Sequence, residues 1–249
     1  MIKKKILKYW NSRAENKILK CTNDLNLEKN EISLFISLIK KGKNVLDIGC
    51  GEGELLRNLK KNNNCNCYGI DFSKNLINIA KKKSKNIHYY CLDMNKIKNK
   101  FKSNIKFDYI ITKRSIQNLT SWRDQKKFLN QLKFYSNSKT KILLMESSND
   151  GLKNINRIRK KLKLKKIIKP WHNLYFDDLK VKQTVFKGIK LIKIKEIFSS
   201  YYFTSRVLNA ATNKKPSYND LLNLAGWMLP QDLIRGFSQL RLYIFKSKN

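Results

Sequence analysis

The chain is poor in the residues and segments on which several classes of protein depend. It has two histidines and three prolines in 249 residues, and none of its five cysteines stands in the Cys-x-x-Cys spacing of a structural zinc site. Free thiols and no bound metal are therefore expected. No apolar run is long enough to span a bilayer, and the amino terminus lacks the features of a secretory signal. These absences predict a cytoplasmic protein without a membrane span.

Acidic side chains are also scarce. Lysine and arginine total 54 against 18 acidic residues, a formal net charge of +36. Such a charge favours a polyanionic partner, but the accompanying abundance of asparagine and isoleucine is also what an AT-rich coding sequence produces. Basic residues concentrate between Arg157 and Lys169, as a binding surface or as a solvated face. Nucleic acid therefore stays open as a partner, and the oligomeric state is not specified.

One short segment carries most of the functional information. From Val45 to Glu54 an apolar run leads into Gly49, Cys50, Gly51 and Gly53. Spaced glycines after a strand permit left-handed backbone conformations and a close approach to a ligand, and the next helix directs its amide groups at that ligand. The segment therefore predicts a cofactor-binding turn.

The acidic residues around this turn indicate the kind of cofactor. A dinucleotide fingerprint needs a third small residue where Glu54 stands, and Asp47 would repel a pyrophosphate. A cofactor with an ammonium and a sulfonium group and no phosphate would be attracted instead, as S-adenosylmethionine is. Asp71 lies 20 residues after Gly51, where an acidic residue can accept both ribose hydroxyls. Ser73 is available as the cap of the helix that follows.

The segment from Val45 to Glu54 resembles the first motif of class I S-adenosylmethionine-dependent methyltransferases, and later segments continue the match in order. Asp93 ends a third apolar run and is similar to the family residue that accepts the adenine amino group. The segment from Tyr9 to Arg13 resembles an element that folds over the cofactor in many relatives, although a plain amphipathic helix is the alternative. Together the turn and the resemblance predict these cofactor-binding residues: Asp47, Gly49, Cys50, Gly51, Gly53, Asp71, Phe72, Asp93, Met94, Lys113 and Arg13, the last paired with the methionine carboxylate.

The spacing of apolar segments predicts the fold class. Strand-like runs near 44–48, 67–71, 87–92, 107–112 and 141–146 alternate with helical patterns, which is typical of a doubly wound α/β sheet. The resemblance implies a Rossmann-like, mostly parallel sheet of seven strands with helices on both faces and an antiparallel last strand at 240–245. We expect one domain over 1–249, with amino-terminal helices or a lid at 1–42, a cofactor-binding core at 43–147 and a substrate-side elaboration at 148–249.

Methyl transfer is an in-line displacement that needs alignment of the acceptor, exclusion of water and, for a hydroxyl acceptor, a base. His172, set among aromatic and polar neighbours, is the candidate base, with a buried structural histidine as the alternative. The other predicted substrate-binding residues are Arg114 and Asn118 after the fourth strand, Trp171 and Asn173 beside the histidine, and Glu146, Asn149, Tyr201, Tyr202 and Arg206. The last five would form a polar, aromatic-lined acceptor cavity, with core tyrosines and a surface salt bridge as the alternative.

The leading interpretation is a methyltransferase that acts on an oxygen or nitrogen of a small molecule, with saccharides among the candidates. An RNA methyltransferase acting on ribose or a ring nitrogen through the basic surface is the first alternative, and a catalytically silent cofactor-binding relative is the second. The sequence has no adjacent prolines and no Pro-Cys pair, which argues against enzymes that methylate the amino groups or carbon five of bases.

Overall fold

A computed structural model describes residues 2–20, 22–99 and 105–248. Cys21 lies outside these ranges, and the other four cysteines are free thiols. The strands are β1 (Asn44–Ile48), β2 (Asn66–Asp71), β3 (His88–Cys91), β4 (Tyr109–Lys113), β5 (Lys141–Ser147), β6 (Ile189–Glu196) and β7 (Leu240–Ser247). They form one sheet in the order β3-β2-β1-β4-β5-β7-β6.

The direction of the strands confirms the predicted fold class. β1 to β5 are parallel to their neighbours, whereas β7 runs antiparallel between β5 and β6. The strand order reverses at β1, which pairs with β2 on one side and with β4 on the other. Open α/β sheets bind their ligands at such a switch point, beyond the carboxyl ends of the strands.

Helices cover both faces of this sheet. They are α1 (Ile2–Glu15), α2 (Leu25–Leu38), α3 (Glu54–Asn63), α4 (Lys74–Lys83), α5 (Trp122–Gln131), α6 (Asn149–Lys161), α7 (Asp178–Gln183), α8 (Ser199–Phe203), α9 (Asn209–Thr212) and α10 (Leu221–Met228). Side-chain caps begin several of them: Asp24 accepts from the backbone N–H of Leu27 at the start of α2, and Ser73 accepts from Leu76 at the start of α4. Among the described residues no helix is long and apolar enough to cross a membrane.

The core consists of two apolar clusters on opposite faces of the sheet. Successive residues of a strand point to opposite faces, so Ile142 and Leu144 of β5 join the cluster under α5, while Leu143 and Met145 join the cluster under α2 and α3. β1 is buried along both faces, which explains why its sequence reads as a nearly continuous apolar run. The central strands thereby present their carboxyl ends at one edge, where the glycine turn lies.

The apolar runs of the sequence predict six of the seven strands at their observed positions, and they predict no strand at β6. Apolar residues and lysines alternate along much of β6, and Ile189, Leu191 and Ile194 are apolar members of that alternation. The pairing with β7 shifts between Leu191 and Lys193, so Ile192 is an extra residue that interrupts the period of two. Because the bulge breaks the alternation, the sequence pattern does not predict a strand here.

Candidate active site

The turn after β1 requires glycine at two positions. Gly49 has φ +79° and Gly53 has φ +80°, a conformation that other residues seldom adopt. A Cβ at Gly49 would overlap the Ser115 side chain, and one at Gly53 would overlap the Tyr89 ring. Next to Gly51 there is open space. The turn is therefore packed against the sheet on one side and open to a ligand on the other.

The open side of the turn faces a cavity of about 1080 Å³, a volume that includes its mouth. Eleven of the residues predicted to bind cofactor or substrate line it: Asp47, Gly49, Cys50, Gly51, Asp71, Phe72, Asp93, Met94, Lys113, Arg114 and Asn118. The remaining lining residues are Lys3, Ile6, Trp10, Leu19, Glu28, Glu52, Glu54, Leu55, Ile70, Leu76, Leu92, Ser115 and Leu119. The structure thus brings together residues from α1, α2 and the ends of four neighbouring strands.

Carboxylates outnumber basic side chains in the lining of this cavity, although the whole chain is strongly basic. Six carboxylates line it, against three basic side chains, in a chain with a formal net charge of +36. The carboxylates are Glu28, Asp47, Glu52, Glu54, Asp71 and Asp93, and the basic residues are Lys3, Lys113 and Arg114. An acidic lining in a partly closed space favours a cationic ligand and disfavours a phosphate.

Asp47 and Asp71 are buried carboxylates at the ends of the two strands beside the turn. Burial raises the pKa of Asp47 to about 7, and its Oδ1 atom has no hydrogen-bond partner among the described residues. Burial also raises the pKa of Asp71 to about 6, although the backbone N–H groups of Ser73 and Gly51 donate to its carboxylate at 2.9 and 3.0 Å. An ionised carboxylate at either position would gain from a positive group or a hydroxyl donor in the cavity.

Helix α1 closes one side of the cavity. Lys3 forms an ion pair with Asp93, the residue predicted to accept the adenine amino group. Trp10 Nε1 donates to Asn118 Oδ1 at 3.2 Å, and Ser73 Oγ donates to Asn11 Oδ1 at 2.6 Å. α1 therefore bridges segments that follow β2, β3 and β4. Only Ile6 and Ala14 of the helix are buried, so few apolar contacts hold it there.

Arg13 lies behind the cavity wall. Its guanidinium donates to the backbone carbonyl of Lys20 and lies 5.6 Å from the ring centroids of both Tyr9 and Trp10. This position differs from the expected pairing with a methionine carboxylate in the cavity. Gly53 likewise contributes to the turn by packing on Tyr89 rather than by lining the cavity.

Two basic residues at the carboxyl end of β4, Lys113 and Arg114, pair with buried carboxylates of α2. Lys113 Nζ lies 3.1 Å from Glu28 Oε1 and 3.7 Å from Glu31 Oε2, and Arg114 forms an ion pair with Glu31. Lys113 and Arg114 still contribute to the cavity surface. Sequence reasoning did not identify Glu28 or Glu31, because nothing within α2 indicates which of its polar residues would meet β4.

Glu146 has a different place from the one expected. It is fully buried at the end of β5, where it accepts from Thr112 Oγ1 at 2.8 Å and from the backbone N–H groups of Ser115, Ile116 and Gln117. Burial raises its pKa to about 7 despite these donors. Glu146 therefore holds the loop after β4 in place, and the prediction that it lines an acceptor cavity is corrected.

The other members of the expected acceptor cavity also have partners within the protein. Tyr201 Oη donates to Asp24 Oδ2 at 2.7 Å, and Arg206 forms an ion pair with the same oxygen at 2.9 Å. The Arg206 guanidinium lies 5.4 Å from the Tyr202 ring centroid. Asn149 Nδ2 donates to the carbonyl of Tyr175. These contacts connect the segment 199–208 to the start of α2, because the carboxylate of Asp24 caps that helix. They do not form the acceptor cavity that the sequence predicted.

His172 lies beside the cavity, separated from it by Trp10. Its ring centroid is 4.6 Å from that of Tyr9, 5.9 Å from that of Trp10 and 5.3 Å from that of Trp171. His172 and Trp171 differ in exposure, since the histidine is buried and the tryptophan is 57% exposed. Burial lowers the pKa of His172, and the positive charge of Arg13 lowers it further.

Three buried polar atoms in this region have no hydrogen-bond partner among the described residues: His172 Nδ1, Asn173 Oδ1 and Gln117 Oε1. The backbone joins the two segments that carry them, since the N–H of Leu174 donates to the carbonyl of Gln117 at 2.7 Å. Asn118, the next residue after Gln117, lines the cavity. A buried polar atom without a partner costs free energy, so these atoms mark a place where a ligand could donate hydrogen bonds.

A doubly wound sheet with an antiparallel β7, whose glycine turn borders an acidic cavity, defines a Rossmann-like methyltransferase. The chain belongs to the methyltransferase-domain family, whose sequence pattern, described as "Methyltransferase domain", matches residues 39–212. It is a class I methyltransferase, and its cofactor is S-adenosylmethionine. The acidic lining and the open carboxylate of Asp47 fit that cofactor.

Proteins that are similar to this chain in sequence or in fold include other methyltransferases. The chain is 36% identical over 90 residues to a ubiquinone biosynthesis O-methyltransferase of Coxiella burnetii, a match that covers 34% of this chain and 36% of that protein. The chain thus matches about a third of the length of these curated relatives.

Two solved structures share the fold over almost the whole chain. One is magnesium protoporphyrin IX methyltransferase of Synechocystis with bound S-adenosylmethionine, at a TM-score of 0.58, 11% identity and coverage of 100% of this chain and 98% of that one. The other is a TehB-like methyltransferase of Corynebacterium glutamicum, at a TM-score of 0.56, 18% identity and coverage of 95% and 99%. At sequence identities this low, the similarity shows only that the fold is shared.

Proposed function

We propose that this methyltransferase transfers the methyl group of S-adenosylmethionine to an oxygen or nitrogen of a small molecule that binds between α1, the loop after β4 and the turn at 170–175. The single observation that carries the proposal is the set of buried, unpartnered polar atoms of His172, Asn173 and Gln117 beside the cavity. The O–H or N–H group of an acceptor is the kind of donor that the two amide oxygens lack.

The acidic residues at the strand ends would hold the cofactor. We assign the methionine ammonium to Asp47, the ribose hydroxyls to Asp71 and the adenine amino group to Asp93, which would exchange its ion pair with Lys3 for that contact. The bound cofactor supplies a methyl group on a sulfonium. The protein contributes the alignment of the acceptor and the exclusion of water under α1.

The surroundings of the proposed acceptor site suit a small, partly apolar molecule. Ile6, Trp10, Leu19 and Leu119 supply the apolar part of the wall, and Asn118 supplies a polar group. The curated relative named as an O-methyltransferase supports an oxygen acceptor. Because Trp10 separates His172 from the cavity, the acceptor would reach the histidine by displacing the aromatic side chains of α1.

His172 is the proposed base for a hydroxyl acceptor. A lowered pKa keeps the imidazole neutral at pH 7, which is the form that can accept a proton. Replacing His172 by Gln should reduce kcat by about 100-fold, the usual contribution of a positioned base, with little change in the affinity for S-adenosylhomocysteine. At saturating S-adenosylmethionine, it should also remove the acidic limb of the pH profile of kcat/KM for the acceptor, which lies below the ordinary histidine value of about 6.5.

The experiment measures transfer of labelled methyl groups to phenolic, saccharide and amine acceptors by the wild type and by the His172→Gln variant. His88→Gln is the matched control, because His88 is the only other histidine in the sequence and stacks on Tyr68 within the sheet. An unchanged pH profile in His172→Gln would remove the base from the proposal. Methyl transfer to RNA with none to any small acceptor would contradict the proposed substrate class.

A further inference from the structure

Helix α10 directs its apolar side chains into solvent. Leu221 is 84% exposed and Met228 is 87% exposed, and Leu224 is exposed between them. The buried positions of the same helix are Asn223 and Gly226. A helix that packs on a protein core has the opposite arrangement, with apolar residues inside and polar residues outside. The outer face of α10 is therefore suited to contact with something outside this chain.

Specific contacts hold α10 in this orientation. Trp227 stacks on Tyr201 with their ring centroids 3.8 Å apart. Gly226 packs so closely on Thr204 that a Cβ there would overlap the threonine hydroxyl, and Asn223 Nδ2 donates to the carbonyl of Ser217 at 2.6 Å. Because the inner face is tightly packed, the helix cannot rotate to bury its leucines without losing these contacts.

The basic cluster between Arg157 and Lys169 and helix α10 are both connected to the segment 204–208. Arg159 of α6 donates to the backbone carbonyl of Arg206, and its Nε donates to the carbonyl of Lys165 at 2.8 Å. The guanidinium of Arg206 lies 4.8 Å from the ring centroid of Tyr218, three residues before α10. Ile158, Ile167 and Trp227 pack against the same apolar cluster, so the residues 157–169 and α10 lie on the same face of the sheet.

This combined surface is both basic and apolar. The segment from Lys160 to Lys169 exposes its lysines together with Ile168, which is 82% exposed, and Leu162. Lys214 and Lys215 are exposed just before α10. The two acidic residues that flank the helix already have partners, since Asp220 accepts from the N–H of Ser217 and Asp232 pairs with Arg235.

We propose that α10 and the segment 160–169 form a docking surface for an anionic lipid bilayer. Leu221, Leu224 and Met228 enter the boundary between headgroups and acyl chains, with Ile168 as a second apolar anchor. The lysines around them bind the lipid phosphates. Buried apolar area and electrostatic attraction together drive this kind of reversible attachment.

The observations favour a bilayer over other occupants. A nucleic acid would use the lysines but has no place for leucine, methionine and isoleucine side chains, since single strands are bound by aromatic stacking. A second copy of this chain would bring its own basic cluster against the first, and the two would repel each other. A bilayer with anionic lipids satisfies the charged and the apolar parts of the surface together.

The test is sedimentation of the full chain with vesicles of phosphatidylcholine alone and with vesicles that also contain phosphatidylglycerol. We expect binding to the anionic vesicles only, falling as salt is raised. The double variant Leu221→Asp, Met228→Asp should lower the fraction bound about tenfold or more. Reversal of charge at Lys165 and Lys166 should weaken binding mainly at low salt.

Val185→Asp is the matched control, because Val185 is 77% exposed and its neighbour Phe186 packs in the apolar cluster on the opposite face of the sheet from Trp227. This variant should bind as the wild type does, and thermal melting should show that all variants fold. The proposal is overturned if no anionic vesicle sediments the protein, or if the double variant binds as well as the wild type. It is equally overturned if the wild type self-associates in gel filtration, the double variant does not, and neither protein binds vesicles.

Discussion

The Asp47 carboxylate combines three properties that matter for a cationic ligand. It is buried at the end of β1, one of its oxygens has no hydrogen-bond partner among the described residues, and burial raises its pKa to about 7. A positive group bound beside it stabilises the ionised form, so its pKa should fall on binding. The side chain is therefore expected to couple ligand binding to pH.

This coupling leads to a measurable proton release. Because burial raises the pKa of Asp47 to about 7, part of the free protein carries a proton there at neutral pH, and binding of S-adenosylhomocysteine through its ammonium group should release it. The affinity should accordingly increase as the pH is raised from about 6 to about 8. Calorimetry in buffers with different ionisation enthalpies measures the release directly, and proton uptake would contradict the assignment of Asp47.

Asp47→Asn tests the same contact without a change of shape. Loss of a charged hydrogen bond should weaken binding by about 10- to 100-fold, or about 1.5–3 kcal/mol, and should abolish the proton release. Asp232→Asn removes one carboxylate from an exposed ion pair and should leave the affinity within about threefold. Equal affinities of the two variants would show that the ammonium lies elsewhere.

At the scale of secondary-structure elements, α1 is the part of the site that we expect to open most readily. It buries only two of its side chains and is attached to the cavity through polar contacts of Lys3, Trp10 and Asn11. Elements with few buried apolar contacts open most readily. α3, in contrast, buries Leu55, Leu56 and Leu59 against the sheet.

We therefore expect the backbone amides of α1 to exchange hydrogen faster than those of α3 in the free protein, and to become protected when S-adenosylhomocysteine binds. Trp10→Ala should leave the melting temperature almost unchanged but weaken ligand binding by about tenfold, since a partly buried indole is worth roughly 1 kcal/mol or more. Trp10→Phe keeps a ring and removes only the donor to Asn118, so its effect should be smaller. Exchange in α1 that is unaffected by the ligand would argue against a lid.

At the scale of the whole molecule, charge is distributed unevenly between surface and cavity. The exposed surface carries most of the positive charge, whereas carboxylates outnumber basic groups in the cavity. Salt screens exposed charges strongly and buried ones weakly. Binding at the cavity and binding at the surface should therefore differ in their response to ionic strength.

Raising the salt concentration from about 0.05 M to about 0.5 M should change the affinity for S-adenosylhomocysteine by less than about threefold, and should weaken any nonspecific electrostatic association with RNA by about 1000-fold or more. Reversing the charge of Lys160, Lys161, Lys165 and Lys166 should remove the RNA association and leave turnover of a small acceptor intact. Filter binding and methyl-transfer assays measure the two effects. Methylation of RNA that is lost in this variant would instead favour an RNA methyltransferase.

The cavity residues that we propose to bind the cofactor could be predicted because their sequence signals are local. The glycine turn, Asp47, Asp71 and Asp93 each stand at the end of an apolar run, and parallel strands bring their carboxyl ends to one edge. The acceptor half was predicted less well, since Glu146, Tyr201 and Arg206 were chosen for their chemical types alone. Their partners Thr112 and Asp24 lie 34 and up to 182 residues away along the chain, and no pattern within either segment indicates these pairs.

Local sequence is sufficient to specify the order of the elements and the chemistry of the glycine turn, because periodicity, spaced glycines and terminal carboxylates act within a few residues. Which polar side chains meet depends instead on the packing of distant segments. That packing places Glu31 on Arg114, Lys3 on Asp93 and His172 among the aromatic residues of α1. Such contacts depend on how separate helices pack across the sheet. Burial then determines whether a carboxylate forms an ion pair, accepts hydrogen bonds from the backbone of a loop or stays open to a ligand.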